Sequence, residues 1–263
     1  MRILLPPSEG KTDPHRGTSL ELASLSFPEL SEPRRLVLDA LTTLCTTDPC
    51  GACATLGLTS NQSAEVVRNQ HLWSAPTAPA WQIYSGVLYG QLDAASLTVA
   101  QRTRLAGRVW IASALFGFVG FTDRIPAYRL SSETTLPGIG SLARFWRDSL
   151  TPLLLRVDES ELIVDLRSGS YVKLGPLPDS MAQRAVATRV LQKMPLGPPK
   201  LITHFNKATK GRILRAVAQH PGKLRTLDDL AQLIATLGAD VILIPPTRTG
   251  QPQQLDIIVT GAS

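Results

Sequence analysis

Residues Val109 to Phe121 read VWIASALFGFVGF, and this stretch constrains the chain more than any other. Its 13 residues carry one polar side chain, Ser113. A membrane-spanning helix needs about 20 such residues, so the run has to be buried inside a folded protein. Aromatic and β-branched residues followed by Gly117 and Gly120 predict a buried strand running into a glycine-punctuated loop. The rest of the composition agrees with a globular chain: of 263 residues, 43% are hydrophobic and 18% charged, enough to bury a real core.

Other elements follow from local patterns. Residues 2–5 are a strand that meets Pro6 and Pro7 too soon to be a signal peptide. Helices are predicted from Ser31, over Asp48–Leu56, over Ser63–Trp73 and over Val99–Ala106. WQIYSGVLYGQLD (residues 81–93) reads as strand or loop, and ELIVDLRSG with YVKLG as a hairpin. LPGIG (136–140) leads a helix to about Leu155. RAVATRVLQK and KLITHF read as strands, NKATKGRILRAVAQH and TLDDLAQLIATLG as helices, DVILI and LDIIV as closing strands. Thr226 is placed to cap the last helix and Gly238 to stop it. No linker is long enough to divide the chain. The expectation is one mixed α/β domain over residues 1–263, without a membrane segment, in the cytoplasm.

The first strand leads into Ser8-Glu9-Gly10-Lys11-Thr12, the ending of a phosphate-binding P-loop. That motif needs a glycine where Leu5 stands, and it aims consecutive backbone N–H groups at phosphate. Proline has no N–H, so Pro6 and Pro7 exclude the cradle. Lys11 remains as a point charge at a strand end, where ligand sites of α/β proteins gather. Cys45, Cys50 and Cys53 have the spacing C-x4-C-x2-C, the beginning of an iron–sulfur signature, but the chain holds no fourth cysteine. Small apolar packing is their expected role, and an odd cysteine count fits a reducing compartment. His15, His71, His204 and His220 are scattered without ligand spacing. No metal, no cofactor and no nucleophile elbow is expected.

The charge is uneven. The chain carries +6, yet no acidic residue stands between Asp179 and Asp228. That interval holds Arg184, Arg189, Lys193, Lys200, Lys207, Lys210, Arg212, Arg215, Lys223 and Arg225. It reads either as a solvated basic face or as an anion-binding surface. On a helix from Asn206, Ile213, Leu214 and Val217 share one face and Arg212, Arg215 and Gln219 the opposite one. Lys207 and Lys210 fall in its first turn, where the helix dipole disfavours cations by ~0.3–1 kcal/mol each. A bound phosphate, a buried carboxylate or full exposure to water would offset that. In LPGIG, Gly138 and Gly140 have the spacing of a helix-hairpin-helix turn, in which the backbone approaches a DNA phosphate; an ordinary glycine turn reads as well.

Several segments in order resemble the YaaA family of peroxide stress proteins. RILLPPSEGKT is similar to its first strand and Ser-Pro-Ala-Lys-type motif, with one extra residue between Ser8 and Lys11. YSGVLYGQL resembles its Tyr/Phe-x-Gly-x-x-Tyr stretch, and Ser113 to Gly117, Asp123 and Pro126 to Leu130 resemble its Ser-Gly-Leu-Tyr-Gly, Pro-Leu-Asp and Pro-Tyr-Arg-Leu segments. Phe145-Trp146, Asp165 to Tyr171 and Asn206 to Gly211 continue the match, with Ser170 where the family has an acid. The resemblance covers essentially the whole chain and excludes the cysteines. It implies a single α/β domain of unusual topology with a positively charged cleft and a helix-hairpin-helix-like element. It also implies binding to duplex DNA and a role in limiting oxidative damage under peroxide.

Two readings follow. In the first, Lys207, Lys210, Arg212, Arg215, Gly138 and Gly140 contact duplex DNA largely without sequence specificity. In the second, the chain is an enzyme or binds a small anionic ligand, such as a nucleotide. Ser8, Lys11, Tyr84, Tyr128, Arg129, Ser168 and Tyr171 then converge, with Lys207 and Lys210, on one phosphate- or carboxylate-binding pocket.

Overall fold

The computed structural model of the chain describes residues 1–201 and 203–260. Its first half runs from β1 (Arg2–Leu5) through helices α1 (Ser31–Thr47), α2 (Pro49–Thr55) and α3 (Ser63–Gln70). Then come β2 (Ala78–Pro79), α4 (Ala80–Ile83), α5 (Val87–Leu92), α6 (Val99–Ala106), β3 (Val109–Ser113), β4 (Gly117–Gly120) and β5 (Arg124–Ile125). The second half holds β6 (Thr135–Leu136), β7 (Gly140–Ser141), α7 (Leu142–Leu155), β8 (Ile163–Asp165), α8 (Gly169–Val172) and β9 (Ala185–Lys193). It closes with β10 (Lys200–Leu201), α9 (Thr203–Gln219), α10 (Leu227–Ala235), β11 (Ala239–Ile244) and β12 (Gln253–Thr260).

One sheet collects strands from both ends of the chain in the order β11-β12-β9-β8-β1-β3-β4, with β10 beside β9. The five inner strands run parallel, and β11 and β4 are antiparallel edges. The fold is therefore mixed α/β around a mostly parallel sheet. β1 lies between β3 and β8, with Leu4 opposite Trp110 on one side and Asp165 on the other. Ile3, Leu4, Leu5, Val109, Ile111, Ile163 and Val164 are all buried, as strands covered on both faces require.

The apolar run is the sheet's edge hairpin, not a strand and a loop: after β3 the chain turns back as β4. Gly117, at φ +72°, makes that turn against the Trp146 ring, where a Cβ would come within 2.8 Å. An edge strand exposes unpaired carbonyls and N–H groups. Here Arg34 of α1 covers them. Its guanidinium is fully buried and donates to the carbonyls of Phe116 (3.0 Å), Phe118 (2.7 Å) and Ser26 (2.7 Å). Asp123 accepts from the N–H of Gly120 (2.8 Å) and holds Ser26 from the same side.

Four other expectations are corrected. Residues 81–93, expected as strand or loop, form most of α4 and all of α5, and α5 packs against α9. The expected hairpin over 161–175 does not form: β8 pairs parallel with β1 and β9, and the following residues coil into α8. The Gly138–Gly140 turn, with φ near +76° and +83°, is the tip of a β-hairpin (β6 and β7) ahead of α7. No helix precedes it within residues 126–136, so only the second arm of a helix-hairpin-helix is present. KLITHF is strand only at Lys200–Leu201, Ile202 lies outside the described residues, and α9 starts at Thr203.

Helix α9 crosses α5 at Gly211. A Cβ there would stand 2.2 Å from the Leu88 carbonyl and 2.7 Å from Cβ of Gln91. Only glycine allows the two backbones so close. At the end of the chain Thr226 caps α10 in a capping box with Asp229, as expected.

Replacing Arg34 with Met strips donors from buried carbonyls, each of which costs ~1–3 kcal/mol when left unpaired. We expect Arg34→Met to lose roughly 2–5 kcal/mol in urea unfolding. A loss below about 1 kcal/mol would show that the β4 edge does not need this cover.

Candidate functional site

Three parallel neighbours, β8, β1 and β3, bring their carboxyl ends to one edge of the sheet. From β1 the chain goes on to β3 on one side and from β8 to β9 on the other, so the order of the strands reverses here, the place where open α/β sheets form ligand crevices. Pro6 and Pro7 hold the loop after β1 extended, and it is tied to the α4–α5 corner. Tyr89 donates to the Pro6 carbonyl (2.8 Å), Ser85 N–H to Gly10 (3.1 Å) and Thr12 N–H to Ile83 (2.8 Å), with Lys11 bridged to Tyr84. Gly86, at φ +91°, sits against Ser8, whose Oγ would be 3.0 Å from any Cβ there.

Lys11 turns its amine back into this corner. Nζ donates to the carbonyls of Ser8 (2.8 Å) and Glu9 (3.3 Å). It lies 4.1 Å from the centre of the Tyr128 ring and 5.6 Å from that of Tyr84, in cation–π range. The Tyr84 and Tyr128 hydroxyls are 3.0 Å apart, and Ser113, the last residue of β3, bonds to Tyr128 at 2.8 Å. Arg129 follows Tyr128. Its backbone is clamped by Asn69 on both sides (2.9 and 2.8 Å), and its guanidinium reaches Glu9 at 3.4 Å.

These surroundings set the charges. Burial, helped by the cation of Arg129, lowers the Lys11 amine to about 7, against the opposing pull of Glu65 and Glu9. Burial also raises the phenols of Tyr84, Tyr89 and Tyr128 well above their ordinary range. Tyr171, near enough to Glu9 and Arg129 to feel both charges, is pushed up to about 12, again chiefly by burial. The site thus pairs an amine balanced between charged and neutral with phenols that stay neutral donors.

Of the residues marked in the sequence, Ser8, Lys11, Tyr84, Tyr128, Arg129 and Tyr171 come together. The Ser168 side chain does not join them: it is exposed and its hydroxyl pairs with Ser170, while its carbonyl starts α8 by accepting from the N–H groups of Tyr171 and Val172. Lys210 is only 6% exposed and donates to the Leu166 carbonyl (2.8 Å) just past β8. Burial lowers it to about 8, with Asp165 pulling the other way. Lys207 is exposed. Because α9 begins at Thr203, both lysines lie beyond its first turn, so the expected conflict with the helix dipole does not arise. Arg212 is exposed and donates to Gln91 (3.2 Å), whereas Arg215 is held by Leu92, Asp93 and Ser96. Gly138 and Gly140 stand at the hairpin tip with open space around them. Glu9, Asn69, Tyr89 and Ser113 were not marked in the sequence. Ser113 and Tyr89 carried a signal, as the one polar residue inside the apolar run and the second tyrosine of YSGVLYG.

Among the described residues no three His, Cys, Asp or Glu side chains converge to hold a metal ion. Cys45 is buried and Cys50 exposed, and no helix of the described residues is long and apolar enough to cross a membrane.

The fold and this corner define an α/β protein with a lysine–tyrosine site at the carboxyl edge of a parallel sheet. The chain belongs to the peroxide stress protein YaaA family, whose profile matches residues 1–237. It is 39% identical over 259 residues to a UPF0246 protein of Streptomyces coelicolor, covering 98% of each chain. It is 41% identical over 263 residues to one from Corynebacterium efficiens, covering 98% of this chain and all of the relative. A UPF0246 protein of Corynebacterium glutamicum is 39% identical over 242 residues.

A lysine lowered from 10.5 to about 7 by folding has a definite pH signature. Between those values the unfolded chain holds a proton that the folded one has released, so stability rises with pH across that window. We expect the wild type to gain roughly 3–4 kcal/mol relative to Lys11→Met between pH 7 and 10, measured by urea unfolding. A constant difference between the two would mean that Lys11 titrates normally.

Proposed function

We propose that this chain is a cytoplasmic duplex-DNA-binding protein of the peroxide stress response. The observation that carries the reading is a run of exposed cations with no acid among them. Lys193, Lys200, Lys207, Arg212, Lys223 and Arg225 are all exposed, in the interval from β9 to α10. They make no ion pair among the described residues. The other four cations of that interval serve the fold: Arg184, Lys210 and Arg215 on backbone carbonyls, and Arg189 on Asp256. Long flexible cations suit phosphates rather than base edges, so binding is largely independent of sequence. Peroxide stress is the context that gives the family its name.

A second reading rests on a separate observation. Lys11 and Arg129 share one corner with neutral phenols, an arrangement fitted to one phosphate or carboxylate group of a small ligand. The DNA face and this corner do not exclude one another.

DNA affinity is expected to fall steeply between about 50 and 200 mM salt, in fluorescence anisotropy on a labelled duplex. Lys207→Glu and Arg212→Glu should each weaken binding for every sequence alike and lower the log–log salt slope by ~0.9 or more. Affinity that is flat with salt, or untouched by both reversals, sinks the DNA reading.

A further inference from the structure

We propose that Lys11 is a nucleophilic amine that forms an imine with a small oxo acid, whose carboxylate is held by Arg129. This inference rests on the second reading above and goes beyond it by naming a reaction.

Two N–H bonds of Lys11 are taken by the carbonyls of Ser8 and Glu9, which fixes the nitrogen at the end of β1. In the neutral amine the lone pair is then left for an incoming carbon. The rings of Tyr84 and Tyr128 flank the amine, and their hydroxyls join Ser113 in one hydrogen-bonded row. Such phenols stay protonated and can hold the oxygen of a bound carbonyl. Arg129 is only loosely engaged. Its one carboxylate partner among the described residues, Glu9, is 3.4 Å away with a side chain 79% exposed. A ligand carboxylate can take the planar fork while Glu9 moves into water.

The step balances without oxidant or reductant. Nζ attacks the carbonyl carbon and a C–N bond forms. The carbonyl C–O bond then breaks, and its oxygen leaves as water with the two protons the nitrogen gives up. The charged groups acting on Lys11 are Arg129 and Glu9 beside it and Glu65 and Arg68 of α3, with neutral Tyr84 and Tyr128 against the side chain. Lys210 is an internal control. It too is buried and donates to a backbone carbonyl, that of Leu166, but among the described residues its amine lies over no tyrosine ring.

The test uses the full chain, glyoxylate as the probe oxo acid and cyanoborohydride to trap the imine, with adducts located by peptide mass mapping. The chain has seven lysines, at 11, 173, 193, 200, 207, 210 and 223. At pH 7 Lys11 should be labelled roughly a hundredfold faster than the surface lysines, which are almost wholly protonated there. Arg129→Ala should slow labelling by glyoxylate more than labelling by acetaldehyde, which has no carboxylate and so reports only the change in the amine that loss of the Arg129 cation brings. Because the wild type alone reports which lysine reacts, the outcome does not depend on a Lys11 variant folding. Labelling spread evenly over the surface lysines, or equal at Lys11 and Lys210, overturns the proposal. Oxamate, an unreactive oxo-acid analogue, separates the two readings. If it binds with Arg129-dependent shifts in protein NMR while Lys11 stays unlabelled, the imine falls and the anion site stands. If neither occurs, both fall, and DNA binding is judged by its own experiment.

Discussion

The parallel pairing of β1 with β3 on one side and β8 on the other is the constraint from which the rest of this protein follows. Parallel neighbours end at the same edge, so three segments far apart in sequence are delivered to one place: Ser8 to Lys11, Ser113, and Leu166 to Tyr171. The chain cannot place one without placing the others. The helical crossover between β1 and β3 then contributes Tyr84, Tyr89 and Asn69 to the same corner, and the return from the β3–β4 hairpin contributes Tyr128 and Arg129. A single register decision in the core thus assembles most of the site.

Much of this was legible in the sequence because it is local. β1, β9, β11, β12, α1, α6, α9 and α10 announce themselves by apolar period, caps and prolines. What was misread depends on partners that no local pattern reveals. Ile163 to Asp165 is too short to say whether it turns back or crosses over, and only its place between β1 and β9 decides. WQIYSGVLYGQLD has the aromatic content of a strand and coils because α9 packs on it. In the site, Lys11, Tyr84, Tyr128, Arg129 and Tyr171 stood out as polar residues inside apolar motifs. Lys210 stood in both readings, on the DNA face and in the pocket, and only its burial against Leu166 shows that it points inward. Glu9 and Asn69 had no pattern of their own.

The distribution of charge shows how far a net count can mislead. The acid-free interval carries ten cations, and the fold itself uses four of them on carbonyls and on Asp256. Buried guanidinium and ammonium groups act here as multi-donor fasteners: Arg34 on the β4 edge, Arg167 on Asp165 and Gly175, and Lys210 on Leu166. Each spends a full charge to satisfy backbone oxygens that no strand reaches.

The contact at Gly211 gives this arrangement an evolutionary consequence. Helix α9 carries exposed cations on its outer side, while its inner side holds Lys210 against β8 and touches α5 with no room for a methyl group. Helix α5 in turn carries Tyr89, which fastens Pro6 and so the loop of Lys11. The outer face and the inner corner are thereby two ends of one rigid train. On this helix a side chain can change without disturbing that packing only at exposed positions such as Lys207 and Arg212. The lineage can retune the charge of that face, but it cannot re-seat the helix without losing the corner.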